Sequence, residues 1–324
     1  MQPKYCLPPT LLLVWCASSI LNAQGYTVAE KATFAPQKKT ILLLKNASGE
    51  KPIIVFETRL RVNTDGSPLS YHPQDLLGET KALNNICNAI AVRKTGSRGN
   101  LCLSRGGGFR EAVGAFEKFR DSGFTKVPDG LQITWENVLA TVNDQGTKKP
   151  CVFASGPFRG YFGSLTALKN GLTRDKGECD VNDQVNPIAV PALVVVGGTN
   201  AVTAFGAQVG DLLIAFNPQT GLFSSAIVGD TGPPDNLGEG SVLLNMRLRG
   251  VTSPPTNKKE TFNLSVENAE VLVAIIPRSK SFQLTRPYTV ENIDARVRQW
   301  QREAGFASPE QFIEVIKSFE TNLK

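Results

Sequence analysis

Apolar positions along this chain recur with a period of two or in short unbroken runs, separated by turns rich in Gly and Pro. Thr40 to Leu44, Pro52 to Val62, Pro187 to Val196, Leu212 to Phe216, Leu222 to Val228, Val242 to Leu248 and Ala269 to Ile276 all have this form. Their length and β-branched content predict strands. Leu131 to Val142 alternates and predicts a hairpin, and Pro218-Gln219-Thr220-Gly221 predicts a turn. The period changes in two places. Phe109, Val113, Phe116 and Phe119 fall near helical spacing, so 111–120 reads as a short amphipathic helix with its aromatic stripe in the core. Val290 to Ala304 also has helical spacing and ends at Gly305. Ser308 then caps a second helix with Pro309 at its first position and Phe312, Val315, Ile316 and Phe319 on one face. Short strands followed by helices predict a mainly β fold: a compact β-barrel with a short inserted helix and a C-terminal helical pair.

Within this pattern, residues 226–241 carry the strongest chemical signal. Ala226-Ile227-Val228 leads Asp230 into the turn Thr231-Gly232-Pro233-Pro234, and Glu239 follows between Gly238 and Gly240. Gly and Pro fix a tight backbone path, so two carboxylates can be held at a set separation. Glycoside hydrolysis needs such a pair. The same segment also reads as a polar loop whose acids cap turns.

Composition narrows the classes. The chain has 324 residues, 41% hydrophobic, enough for a sizeable core, and a formal net charge of +6. Its cations, including Arg93, Arg98, Arg105, Arg110, Arg120 and Lys126, are spread among acids, with no basic and aromatic module of the kind that binds nucleic acid. Lys4, the apolar run Leu11 to Leu21 and Leu21-Asn22-Ala23 before Gln24 read as an export signal over residues 1–23, too short to span a bilayer comfortably. A soluble, secreted or periplasmic chain is expected, with no membrane span and as a monomer. Beyond the signal four cysteines remain, Cys87, Cys102, Cys151 and Cys179, an even number that suggests two disulfides. Sequence neighbours give Cys87–Cys102 and Cys151–Cys179, one of three connectivities. No closely paired ligands suggest zinc, and His72, the only histidine, offers no obvious triad. No metal or cofactor is expected. Arg105-Gly106-Gly107-Gly108 lacks the phosphate-loop endings and reads as a flexible lead into the helix.

Several blocks, taken in order, resemble the family 75 glycoside hydrolases, the fungal and bacterial endo-chitosanases. Gly229-Asp230-Thr231-Gly232-Pro233 with Gly238-Glu239-Gly240-Ser241 is similar to their catalytic stretch. Asn63-Thr64-Asp65-Gly66-Ser67-Pro68 continuing to Tyr71-His72-Pro73 resembles their D-x-D-G-S-P and Y-H-P block. Gly160-Tyr161-Phe162, Val190-Pro191-Ala192, Gly210-Asp211-Leu212 and Ile276-Pro277-Arg278-Ser279 resemble further segments. The blocks span about residues 53 to 279. Asn63 stands where the family has Asp, Ala192 where it has Tyr and Arg278 where it has Gly, and 91–150 matches poorly. The element order is also similar to a double-psi barrel, as in the cellulase, expansin and lytic transglycosylase group, though fold does not fix function.

The resemblance implies an inverting endo-hydrolase of glucosamine polymers, with Asp230 and Glu239 as the carboxyl pair. The division expected is Glu239 as general acid and Asp230 as base. Asn63, Asp65, His72, Asp211 and Thr231 are the expected substrate contacts. Asp65 is a third candidate acid for amine binding or positioning, and His72 reads first as structural. Chitosan is a polycation, so Asp65, Asp211, Asp230, Asp235 and Glu239 are expected to form a local acidic groove on this basic chain. The expected organisation is 1–23 signal, 24–50 N-terminal extension, 51–280 catalytic-type domain and 281–324 helical extension. A peptidoglycan-active glycosidase on the same barrel and a non-catalytic polysaccharide-binding module remain alternatives.

Overall fold

The computed structural model describes residues 25–324 apart from 137, 145, 171–178 and 282–285. The expected export signal at 1–23 lies outside the described residues. Twelve strands are described: β1 (Thr27–Phe34), β2 (Lys39–Lys45), β3 (Ile53–Asn63), β4 (Ile90–Lys94), β5 (Leu131–Trp135), β6 (Thr141–Asp144), β7 (Thr147–Pro150), β8 (Ala192–Val196), β9 (Leu212–Asn217), β10 (Leu222–Gly232), β11 (Glu239–Ser241) and β12 (Val266–Ile276). The main sheet runs β1-β2-β3-β11-β8-β10-β9-β12, and β3 also pairs with β12. That last pairing closes six strands into a barrel, as expected, and leaves β1 and β2 as a flap on β3. Two seams are parallel, β3 with β11 and β8 with β10. Parallel neighbours need crossover connections, and the chain spends residues 64–191 between β3 and β8.

Alternation along the strands divides the core in two. Ile54, Phe56, Leu193, Val195, Leu213, Ala215, Ala226, Val228, Val273 and Ile275 form one cluster, contributed by five of the six barrel strands, and fill the barrel. Val55, Leu212, Ile214, Phe216, Leu272 and Ala274 point the other way, against α5 (Val290–Glu303) and α6 (Pro309–Lys317) through Ile293, Val297, Trp300, Phe312 and Ile316. Both helices start as the sequence predicts. The Thr289 side chain accepts from Asn292 N, and Ser308 from Gln311 N with Pro309 in the first turn.

A third core lies outside the barrel. The helix α1 (Gly107–Asp121) buries Ala112, Ala115, Phe116 and Phe119 among Ile90, Val92, Leu139 and Phe162. Phe116 meets Trp135 and Phe162 edge-on, with ring centroids 6.2 and 6.1 Å apart. Much of this unit comes from residues 91–150, joined by Tyr71, Ile86, Ile90 and Phe162 from either side. Two disulfides serve it, Cys87–Cys102 and Cys151–Cys179, the sequence-neighbour pairing.

Several elements differ from expectation. Val242–Arg249 is a helix, α3, where a strand is predicted. Ser241 caps it by accepting from Leu244 N, Gly250 ends it with φ +68°, and after Val242 the run has no β-branched residue to favour a strand. The alternation at 131–142 does not fold back on itself: β5 pairs with β4 and β6 pairs with β7. The N-terminal extension is largely strand, with β1 and β2 paired from Thr27↔Lys45 to Phe34↔Lys39 across a register shift between Val28 and Glu30. The glycine-rich lead at 105–108 is partly helix, since α1 begins at Gly107. The strand predicted at 187–196 shortens to 192–196.

Candidate active site

Three carboxyl groups from three separate segments meet in one cleft of about 930 Å³ between the barrel wall and the outer unit. Asp230 enters from β10, Glu239 from β11 and Asp65 from the loop that leaves β3. Register explains the first two. Asp230 and Glu239 are both paired with Val194 of β8, one on each side. Residues directly opposed across a ladder project to the same face, so both acids stand on the cleft side of the wall. Two strand spacings put their backbones about 9–10 Å apart.

Each acid has a local device that aims it. The β8–β10 register slips between Val228 and Asp230, so Gly229 is an extra residue that turns Asp230 outward. Its Oδ1 then accepts from Ala167 N at 2.9 Å and Thr231 N at 2.8 Å. Before Glu239, Gly238 has φ +114°, and a Cβ there would collide with the carbonyl of Arg59 and the hydroxyl of Thr58. Only glycine lets the loop close onto β3 at this point. Asp65 sits in an Asx turn, where Asn63 Oδ1 accepts from Asp65 N at 2.7 Å.

Hydrogen bonds link the three. Asn63 Nδ2 lies 3.3 Å from both Asp65 Oδ2 and Glu239 Oε2, so those oxygens are no further apart than twice 3.3 Å. Asn236 Nδ2 donates to Glu239 Oε1 at 2.6 Å. The Tyr71 hydroxyl donates to Asp65 Oδ1 at 2.8 Å and accepts from Asn88 Nδ2 at 2.6 Å. Burial, reinforced by the charge of Asp230, pushes the Asp65 carboxyl up to about 7, against the hydrogen bonds from Tyr71 and Asn63. Burial also pushes Asp230 up to about 6, with Glu239 adding to it, while the two backbone N–H groups and Lys169 pull it down. Burial next to Asp65 holds the Tyr71 hydroxyl well above the usual phenol range.

The expected contacts separate into two groups. Asn63, Asp65 and Thr231 line the cleft with the carboxyl pair. Asp211 does not: it is fully buried, and its carboxylate accepts from the backbone N–H groups of Gln208, Arg278 and Lys280, tying the start of β9 to the turn after β12. Burial raises its carboxyl despite these donors. His72 is also outside the cleft. It is buried, stacks edge-on with Tyr161 at 4.6 Å, and its Nδ1 accepts from Gln74 N. Burial lowers its pKa, and the charge of Lys81 acts in the same direction. Asp235 is exposed on the loop and does not line the cleft.

The acidic groove is therefore smaller than expected in one direction and larger in another. Glu136, from the outer unit, joins Asp65, Asp230 and Glu239, so four carboxyls face two cations, Arg61 and Lys169. Sequence reasoning overlooked Glu136 because it lies in the poorly matching stretch. It also overlooked Asn88, Asn236 and Gln37. Asn236 had a local signal in its place three residues before Glu239. Asn88 and Gln37 had none, because only tertiary folding brings them near.

Among the described residues, no group of three His, Cys, Asp or Glu side chains could hold a metal ion, and no helix is long and apolar enough to cross a membrane. No protein-family model matches this chain, and no curated protein matches it.

Proposed function

We propose that the protein is an exported, endo-acting glycoside hydrolase of the chitosanase type, cleaving β-1,4-linked glucosamine polymers with inversion. The observation that carries this reading is the convergence of Asp230 and Glu239 on either side of Val194, in a cleft where carboxyls outnumber cations. Their backbone separation leaves room for a water between the two carboxyl groups, as inversion requires. One carboxyl takes a proton from that water as its oxygen bonds to the anomeric carbon. The other gives a proton to the leaving oxygen as the glycosidic bond breaks.

Hydrogen-bond polarity favours the reverse of the division expected from the sequence. Both oxygens of Glu239 accept from amides, whereas Asp230 Oδ2 has no hydrogen-bond partner among the described residues. Asp230, pushed up to about 6, is the better proton donor, and Glu239 the better acceptor. Asp65 lies beside them as the third acid, held by Tyr71 and Asn63. Two disulfides and the candidate export signal fit an extracellular protein. Asn63 and the cations Arg61 and Lys169 favour a second reading, a glycosidase of N-acylated cell-wall glycan.

The test is release of reducing ends from highly deacetylated chitosan by the mature chain, beside Asp230→Asn and Glu239→Gln, with cell-wall glycan in parallel. Each substitution is expected to lower kcat by about 10²–10⁴-fold, and NMR of the first product is expected to show the α-anomer. Full activity in either variant would remove that residue from the mechanism. Inactivity of the parent on both polymers would overturn the hydrolase reading.

A further inference from the structure

The two amides that hold Glu239 have their orientation set by backbone N–H groups. At one end, Asp65 N–H donates to Asn63 Oδ1 at 2.7 Å, which obliges the Asn63 nitrogen to face Glu239 Oε2. At the other, Leu237 N–H donates to Gln37 Oε1 at 3.1 Å. Gln37 Nε2 must then donate to Asn236 Oδ1, at 3.3 Å, and Asn236 Nδ2 is left to donate to Glu239 Oε1, at 2.6 Å. An amide side chain has one accepting and one donating end, so each bond in this chain dictates the next. Gln37 lies in the turn Ala35–Gln37 between β1 and β2, where Pro36 and the left-handed Lys38 (φ +53°) fix the backbone. It is part of the N-terminal flap, outside the span of the family resemblance.

We propose that Gln37 is a positioning residue for the reaction: through Asn236 it sets the polarity of the hydrogen bond on Glu239, presenting that carboxylate with donors only. The N-terminal flap thus completes the active site. This rests on the hydrolase reading, and its consequence is specific. Replacing Gln37 with Glu leaves an acceptor for Leu237 N–H but removes the donor to Asn236. The Asn236 amide then turns over, its nitrogen toward residue 37 and its oxygen toward Glu239. A donor becomes a repelling acceptor at the carboxylate that takes the proton. Gln37→Ala only loosens the chain, because the Asn236 amide is then free to face either way.

The experiment is the pH–rate profile of the parent, Gln37→Glu, Gln37→Ala, Asn236→Ala and the double variant Gln37→Glu/Asn236→Ala, with melting temperatures recorded for all. In Gln37→Glu the acid limb is expected to move up by about one pH unit, roughly a tenfold loss below it, and in Gln37→Ala by less. In the Asn236→Ala background, adding Gln37→Glu is expected to leave the limb where Asn236→Ala alone puts it, because the connecting amide is gone. A shift that persists in the double variant would reduce the effect to the added charge and overturn the relay. An unmoved limb with a lowered melting temperature would make Gln37 purely structural. Should the parent prove inactive, which is a failure of the hydrolase reading and not of this one, NMR titration of the Glu239 side-chain carboxyl in the same variants reads the same displacement without substrate. No displacement there would also overturn the proposal.

Discussion

Asp65 and Asp75 lie on the same stretch of chain leaving β3, and their surroundings drive them in opposite directions. Asp75 is buried, which pushes its carboxyl up, but it accepts from four backbone N–H groups, those of Glu79, Thr80, Lys81 and Ala82, at 2.6–3.0 Å. These hold it well below the usual carboxylate range. Asp65 accepts from the side chains of Tyr71, Asn63 and Asn88, has two other acids nearby, and is pushed up to about 7. Burial alone does not decide the direction, and neither does the number of donors. Asp211, fully buried with three backbone donors, still moves up. The loop at Asp75 is organised around a charge, whereas the cleft is organised to keep carboxyls able to hold a proton. A raised carboxyl does not by itself mark a cleft acid, since Asp211 serves its own backbone and is raised too; what sets Asp65 apart is the neighbouring acids.

The largest effect is expected where the charge supports the loop. Asp75→Ala leaves four backbone N–H groups without their acceptor and is expected to cost about 3–5 kcal/mol, measured by denaturant unfolding at neutral pH. The sign follows from the depressed folded value. Asp75 contributes fully above its unfolded pKa, near pH 4, and the contribution is lost as pH falls through the folded value. The penalty of the substitution should therefore shrink on acidification. A penalty independent of pH would mean that the loop needs the side chain's packing and not its charge.

A smaller effect of opposite sign is expected in the cleft. Asp65 has a raised folded value, so its contribution is complete below about pH 4 and is lost as pH rises through about 7. Asp65→Asn, which imitates the protonated form, is expected to make the protein more stable by about 1–3 kcal/mol at pH 8, with the advantage disappearing toward pH 4. Unfolding at the two pH values reads this directly. A loss of stability at pH 8 would place Asp65 with Asp75 as a structural acid and break the comparison.

The smallest effect refines it. Lys169 lines the cleft, and its charge lowers the Asp230 carboxyl. In Lys169→Gln the alkaline limb of the pH–rate profile, which follows a proton donor, is expected to move up by less than about one pH unit. Movement of the acid limb instead would return Asp230 to the role of base.

How much of this was legible in the sequence varies from residue to residue. Ser308, Pro309 and the spacing of Phe312, Val315 and Ile316 announce α6 correctly, because capping and helical period act over one or two turns. The turn between Asp230 and Glu239 is also legible, since Gly and Pro restrict the backbone locally. Val242 to Leu248 was misread because a short apolar run fits strand or helix equally. The Ser241 cap and Gly250 decide it, together with a buried site for Leu244 and Leu248 inside the barrel. Asp211 was misplaced because a Gly-Asp turn does not reveal whether its carboxylate faces a cleft or its own backbone.

Local rules, then, already determined most of the strands, the C-terminal helices and the two acids held by one Gly-Pro turn, and offered the neighbour pairing of the cysteines as one of three connectivities. Each depends on groups within a short reach along the chain. The tertiary structure alone decided that β11 wedges between β3 and β8, that a bulge at Gly229 aims Asp230 at the same face as Glu239, that Glu136 of the outer unit joins them, and that Gln37 of the N-terminal flap reaches Glu239 through Asn236. Those relations are set by strand register and by barrel closure. Both are chosen by burying the apolar face of every strand at once, a condition that no single segment can express.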